Sequence, residues 1–331
     1  MSTDPSNFMK ISIAMATYNG AQYITEQLQS FVDQSRQPDE VIITDDCSAD
    51  ETESVIRKFA ETAPFEVIFS RNEKNLGYCG NFNVALMKTT GDLVFLSDQD
   101  DVWFPEKIKH MVCLADQNPG ALVLMNDAVL TDKNLESVGL TKLGQIRSAG
   151  FSDNAFIMGC CCAVRRELLN ICMPILPGFK AHDNWIVGFS DQLNKKFICD
   201  EPLQYYRRHD SNESQFIANR TTKVTRWHAF FHAKRNFLSR TDNKVEFFEL
   251  EQRKLLSQGI RHALMNAPLE FHPDLSEMLR ENNQPFGIIE TRINFRQKRF
   301  RQRVFAIVSF AAGGGYRSAN GVRSMLRDLL G

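Results

Sequence analysis

Along the first part of the chain, short runs of consecutive apolar residues alternate with stretches whose apolar residues recur at helical spacing. Ile11 to Ala16 reads as a buried strand and ends in the turn cluster Thr17-Tyr18-Asn19-Gly20, and Gln22 to Val32 then reads as a helix. Glu40 to Thr44, Phe65 to Ser70 and Leu93 to Leu96 repeat the strand pattern, separated by helical stretches at Glu51 to Ala60 and Gly80 to Lys88. This tempo predicts βαβ units, and so an α/β fold with a mostly parallel sheet flanked by helices.

The pattern loosens further on. Leu122 to Met125 reads as a strand, residues 126–157 as loops with weak elements, and Phe156 to Val164 as a buried strand running into a helix at Arg165-Arg166. Ala181-His182-Asp183-Asn184-Trp185 heads an apolar helix, and Phe197 to Leu203 is a last strand, followed by Tyr205-Tyr206-Arg207-Arg208-His209. Beyond Arg220 the alternation stops and the chain reads as helical, with an amphipathic helix at Glu246 to Leu256 and a break near Pro268 to Pro273. The expected organisation is therefore an α/β domain over residues 1–219 and a helical C-terminal region over 220–331.

Charge sharpens that division. The 331 residues sum to a formal −1, yet residues 1–219 carry 19 Lys and Arg against 30 Asp and Glu, whereas residues 220–331 carry 20 against 10. A basic region of this kind meets phosphate, on a membrane face or in nucleic acid. Eight cysteines, three of them consecutive at Cys160-Cys161-Cys162, do not suit the spaced bridges of a secreted scaffold or a zinc finger. The polar N-terminus lacks an apolar signal core, and the run Val304 to Ala312 is far shorter than the roughly 20 residues of a spanning helix. The expected location is the cytoplasm, at most on the inner face of a membrane.

Ligands of such sheets lie beyond the carboxyl ends of the strands. The residues there are Tyr18-Asn19, Asp45-Asp46, Asn72 to Gly77 and Asp98-Gln99-Asp100-Asp101. Three carboxylates within four residues repel one another unless a cation neutralises them, and a hard divalent ion shared with substrate phosphates is one solution. An acidic turn capping a helix at Asp101, ahead of Pro105, is the alternative.

These residues also carry a family likeness. Ser12-Ile-Ala-Met-Ala-Thr-Tyr-Asn-Gly20, Val41-Ile-Ile-Thr-Asp-Asp-Cys-Ser-Ala-Asp50, Asn75-Leu-Gly77 and Leu96-Ser-Asp-Gln-Asp-Asp-Val-Trp103, with Pro105 and Lys107, resemble the family-2 glycosyltransferases. Ala181-His-Asp-Asn-Trp185 and Tyr206-Arg-Arg-His-Asp-Ser-Asn212 resemble its rhamnosyltransferase-like branch. The likeness covers roughly residues 10–215. It implies a type-A, Rossmann-like nucleotide-sugar-binding sheet and a divalent metal, Mg2+ or Mn2+, on the donor diphosphate.

Carried over position by position, the resemblance puts Thr17, Tyr18, Asp46, Asn75 and Asp98 on the nucleotide-sugar, with Tyr18 against the base and Asp46 on base or ribose. It makes Asp100 a metal ligand and Asp183 the base that deprotonates the acceptor hydroxyl, opposite the leaving group, which implies inversion; His209, which follows a strand beside Arg207 and Arg208, is read as a second metal ligand or a diphosphate contact. Met158, Gly159, Trp185 and Arg207 become acceptor or phosphate contacts. Each has a plainer alternative: a helix N-cap for Asp183, an exposed loop histidine for His209, a core aromatic for Trp185, a solvated face for Arg207-Arg208.

The basic region has three readings. Arg292 to Phe310 interleaves Arg and Lys with Ile293, Phe295, Phe300, Phe305 and Phe310, which suits a membrane surface over residues 292–312. Packing on the catalytic body or in an oligomer is the second; nucleic acid is disfavoured because no reading module accompanies the charge. The expected activity is transfer of a sugar, rhamnose by resemblance, from a pyrimidine (dTDP or UDP) nucleotide-sugar to a glycan or lipid-linked acceptor in cell-surface polysaccharide synthesis. A catalytically silent relative that scaffolds a polysaccharide-assembly complex is the alternative.

Overall fold

The computed structural model describes residues 9–209, 216–239, 244–316 and 321–330. The chain divides into two compact units, Met1–Ala229 and Phe230–Gly331.

In the first unit β1 (Ile11–Thr17), α1 (Ile24–Val32), β2 (Glu40–Asp45), α2 (Thr52–Ala60), β3 (Glu66–Arg71), α3 (Gly77–Lys88) and β4 (Leu93–Ser97) follow in strict alternation. Every residue of β2 and β4 is buried, which is why Val41 to Ile43 and Leu93 to Leu96 are consecutive apolar residues instead of alternating ones. Then come β5 (Val102–Trp103), α4 (Lys107–Gln117), β6 (Val123–Thr131), β7 (Ser137–Thr141), α5 (Lys142–Ser148), β8 (Cys162–Arg165), α6 (Arg166–Cys172), α7 (His182–Gln192) and β9 (Lys196–Arg207). The nine strands form one sheet in the order β3-β2-β1-β4-β8-β6-β9-β5, with β7 on β6.

The first four strands pair in parallel, so their carboxyl ends share one edge. β8 runs antiparallel to β4 and β6, and β9 runs parallel to β6. The short β5 pairs antiparallel with the end of β9, Val102 opposite Tyr205, which draws the acidic stretch after β4 against the last residues of β9. Phe95 and Phe31 pack on Trp103 at ring distances of 5.7 and 4.8 Å, fixing β4, α1 and β5 to one another beneath that edge.

Three local expectations change. The strand expected over Phe156 to Val164 is only Cys162–Arg165; Gly159–Cys161 is a 3-10 turn, closed by the Met158 carbonyl accepting from the Cys161 amide at 3.2 Å. Residues 126–157 hold the rest of β6, β7 and α5. β9 runs on to Arg207, through a register shift at which Asn126 faces Cys199 but Asp127 faces Pro202.

The expected boundary at residue 219 falls within the first unit. Ile217 and Val224 pack with Ala149, while Gln145 donates to the carbonyls of Arg220 and Thr222 and accepts from the Val224 amide, each at 2.8 Å. The division lies inside α8 (Arg226–Ser239).

The second unit contains α9 (Lys244–Asn266), α10 (His272–Asn283), α11 (Phe286–Arg296), α12 (Phe300–Ala312) and α13 (Val322–Leu330). Arg292 holds the buried Asp328 through two bonds of 2.8 and 3.1 Å, and Tyr316 donates to the same carboxylate at 2.9 Å. Ile293 packs with Leu250 and Ile289, and Phe295 with Ile307 and Tyr316. Arg292, Ile293 and Phe295 are thus interior, and the expected lipid-facing stretch contracts to α12, where Phe300, Phe305 and Val308 are exposed beside Arg299 and Arg301. Among the described residues no helix is long and apolar enough to cross a membrane.

Candidate active site

Three strand ends build a polar rim. At the end of β1, Thr17 is buried and donates to Asp45 at 3.1 Å. Tyr18 is half exposed, and its backbone is clasped by Gln99: the Tyr18 amide donates to Oε1 and its carbonyl accepts from Nε2, both at 2.9 Å. Gly20 makes room for this clasp, because a Cβ there would lie 2.2 Å from the Gln99 oxygen. The β1 turn and the acidic stretch are therefore one rigid piece.

Asp46 is turned inward. Its Oδ1 accepts from Asn72 Nδ2 at 2.9 Å and from the Leu76 amide at 2.8 Å, and its carbonyl accepts from Asn75 Nδ2 at 3.2 Å. Asn75 caps the following turn by accepting from Gly77, whose φ of 74° favours glycine. Asp46 and Asn75 thus shape the loop between β3 and α3, a supporting role that the reading of Asp46 as a base or ribose contact does not anticipate.

The acidic stretch splits into layers. Asp101 is fully buried; it accepts from Gln204 Nε2 at 2.9 Å and from the Arg207 amide at 3.2 Å, so it ties β5 to β9 and is no helix cap. Lys107 is buried beneath it, donating to the Cys160 carbonyl at 3.0 Å and to Gln204, with its ammonium 3.9 Å from the centre of the Trp103 ring. Burial and the charge of Asp100 push the Asp98 carboxyl up to about 7, with a smaller push from Asp183. Burial, then Asp100 and Asp98, push Asp101 upward too. Burial lowers Lys107 to about 8. Asp98, Asp100 and Asp101 thus crowd three carboxyls around the one buried ammonium of Lys107.

Asp100 is largely covered and meets His209: Oδ2 and Nε2 are 2.7 Å apart, with the two side chains 13% and 12% exposed. His209 is therefore no solvated loop residue; it stacks on Tyr23 at 4.8 Å. Asp210 to Asn212, the end of the motif that carries His209, lie outside the described residues.

Asp183 sits in the first turn of α7, where a carboxylate is favoured by the helix dipole, but the N-cap is Ala181. Its Oδ1 accepts from the Asn184 amide at 2.8 Å. His182, beside it, is buried and stacked on Phe82 at 4.0 Å, and burial lowers its basicity. Met158 and Gly159 are buried; a Cβ on Gly159 would come within 2.5 Å of His182 Nε2.

Two expected contacts are overturned. Trp185 is fully buried, donating to the Cys172 carbonyl at 2.8 Å and packing on Phe179 and Phe189, so it is core and cannot meet an acceptor. Arg207 is 3% exposed, and each of its three nitrogens is engaged: Nε with the Asp100 carbonyl at 2.8 Å, Nη1 with the Lys133 carbonyl at 2.9 Å, and Nη2 with Glu26. It braces the rim and does not present itself to phosphate.

Sequence reasoning assigned no role to Gln99, Tyr23, Gln204 or Lys107. Gln99 and Lys107 stand within the segments that carry the family likeness, whereas nothing in the local pattern marks Tyr23 or Gln204.

Comparison with known proteins agrees with this architecture. Residues 12–171 match the model of the glycosyl transferase family 2. An uncharacterized glycosyltransferase of Nostoc sp. is 31% identical over 229 residues, covering 65% of this chain and 70% of that one. A dTDP-rhamnosyl transferase of Shigella flexneri is 27% identical over 214 residues, covering 60% and 73%. In three dimensions, TarS of Staphylococcus aureus in complex with UDP-GlcNAc superposes with a TM-score of 0.52 at 18% identity, over 97% of this chain and 90% of that one, a likeness of fold. With the parallel strand ends, the acidic rim and these relatives in agreement, the chain belongs to the family-2 glycosyltransferases and is a glycosyltransferase.

Proposed function

We propose that this enzyme transfers a sugar, rhamnose, from a dTDP- or UDP-sugar to a glycan or lipid-linked acceptor in cell-surface polysaccharide synthesis, with inversion and with a divalent metal. The observation that carries the reading is the pair Asp100 and His209, 2.7 Å apart on a rim crowded with carboxyls. The similarity to a rhamnosyl transferase named for dTDP, and to a fold neighbour bound to UDP-GlcNAc, supports a pyrimidine donor.

Asp100 and His209 would hold the metal. Their mixed oxygen and nitrogen donor set suits Mn2+ better than Mg2+. When bound, such an ion would offset the diphosphate charge and supply Lewis-acid help to the leaving group. The chain's own residues do the rest. Tyr18, half exposed over the end of β1, offers its ring to the base, with Thr17 beneath it. Asp98, with a carboxyl near 7, offers the ribose or sugar either a donor or an acceptor. Asp183 takes the proton from the acceptor hydroxyl, a contribution typically worth about 10²–10⁴-fold. Attack from that side displaces the nucleotide in one step and inverts the anomeric carbon.

The exposed face of α12, Phe300, Phe305 and Val308 beside Arg299 and Arg301, supports docking on the anionic cytoplasmic face of a membrane, where a lipid-linked acceptor would lie. A thermal-shift comparison tests the donor reading. dTDP or UDP with Mn2+ should raise the melting temperature well beyond metal or nucleotide alone, and stabilisation by purine nucleotides only would overturn it.

A further inference from the structure

A second set of metal-ligating side chains lies away from the acidic rim. His110 projects from α4, and Cys199 and Glu201 come from the part of β9 where the register with β6 slips and leaves Asp200 and Glu201 without partners on β6. His110 Nε2 lies 3.8 Å from Cys199 Sγ and 3.4 Å from Glu201 Oε2, and the three donor atoms are all within 4.8 Å of one another. In a tetrahedral zinc site, with bonds of about 2.3 Å to sulfur and about 2.0–2.1 Å to nitrogen or oxygen, the S···N and N···O edges are about 3.6 and about 3.4 Å. The two edges that meet His110 already match that geometry, and the third, from Cys199 to Glu201, lies within 4.8 Å and would close to about 3.6 Å on binding.

Two further features fit a cation. The Glu201 amide donates to Cys199 Sγ at 3.4 Å, the outer support by which a thiolate ligand is oriented. The side chains of His110 and Glu201 are 31% and 57% exposed, which leaves a route for the ion and a fourth position for water.

We propose that His110, Cys199 and Glu201 form a binding site for a zinc-class transition metal, fastening α4 to β9. The sulfur and imidazole donors select it against the hard ions that suit a carboxylate rim. α4 follows the acidic stretch and β9 ends at Arg207, so the ion would tie together two elements that carry the rim from a point outside it. The proposal uses none of the residues assigned to sugar transfer and stands or falls apart from that reading.

The test is a titration of the full chain, freed of metal with a chelator, with Zn2+ followed by melting temperature and with Co2+ followed by its thiolate charge-transfer absorption. The site predicts one equivalent of Co2+ giving a tetrahedral spectrum with a thiolate band, absent in Cys199→Ser and retained in Asp100→Asn. His110→Gln, a half-exposed substitution that leaves the core untouched, should weaken Zn2+ binding by at least about 10–100-fold. No thiolate band in the unaltered protein, a band surviving Cys199→Ser, or unchanged affinity in His110→Gln would each overturn the proposal.

Discussion

Oδ2 of Asp100 and Nε2 of His209 lie 2.7 Å apart although 109 positions separate them in sequence. The contact exists because β5 pairs with the end of β9 and Asp101 takes the Arg207 amide, so the residues just past β9 fold over the acidic rim. Replacing His209 by alanine removes one donor atom and leaves the sheet intact. Turnover at limiting Mn2+ should fall about 10–100-fold, with stability changed by less than about 1 kcal/mol. Initial rates across a Mn2+ titration, beside a melting curve, check both parts.

Arg207 separates bracing from phosphate binding. Lysine would keep the charge but could not span the Asp100 carbonyl, the Lys133 carbonyl and Glu26 at once, nor keep the guanidinium over the Tyr23 ring. Arg207→Lys should therefore destabilise the protein by about 2–4 kcal/mol. A phosphate-contact role predicts instead a normal denaturation midpoint and weaker donor binding.

Gly159→Ala pushes a methyl against His182 Nε2, and the imidazole has little room to give because it is stacked on Phe82. The expected result is a loss of about 1–3 kcal/mol and a lower kcat, since Asp183 is the next residue. Denaturant unfolding and steady-state kinetics of the same variant measure the two effects.

Glu40 supplies a pH signature outside the site. Burial raises its carboxyl, but bonds from Ser12 Oγ, the Thr90 amide and Thr90 Oγ1, with Lys10 beside it, override burial and hold it at about 2 against an ordinary 4.5. A depressed carboxyl adds stability that is complete above the unfolded value and lost as pH falls through the folded one. The contribution is on the order of 3 kcal/mol at neutral pH. Glu40→Gln should thus be less stable at pH 7, with the gap to the unaltered protein closing between about pH 4.5 and 2. Denaturation midpoints across that window check it.

The parallel half of the fold was legible because β1, β2 and β4 are buried on both faces and carry mostly apolar residues without alternation, as in Val41 to Ile43 and Leu93 to Leu96. β9 was not, since Asp200-Glu201-Pro202 interrupts its pattern where the register shifts. Cys160 and Cys161 misled differently: they are buried in a turn as they would be in a strand, so apolarity alone could not tell the two apart. In the site, Asp98 to Asp101 were legible by their place after a strand, but not that Asp101 is fully buried and that Asp100 meets His209. The burial of Arg207 was hidden as well, because partners such as Glu26 lie 181 positions away and local pattern carries no trace of them.

Asp183 bears the central claim, that a carboxylate in the first turn of α7 deprotonates the acceptor of a nucleotide-sugar transfer. The direct measurement is the rate of nucleoside diphosphate release from a dTDP- or UDP-sugar by Asp183→Asn, alongside donor affinity by calorimetry. The account predicts a rate lower by about 10²–10⁴-fold with donor affinity nearly unchanged. An Asp183→Asn enzyme that turns over at the unaltered rate would contradict it.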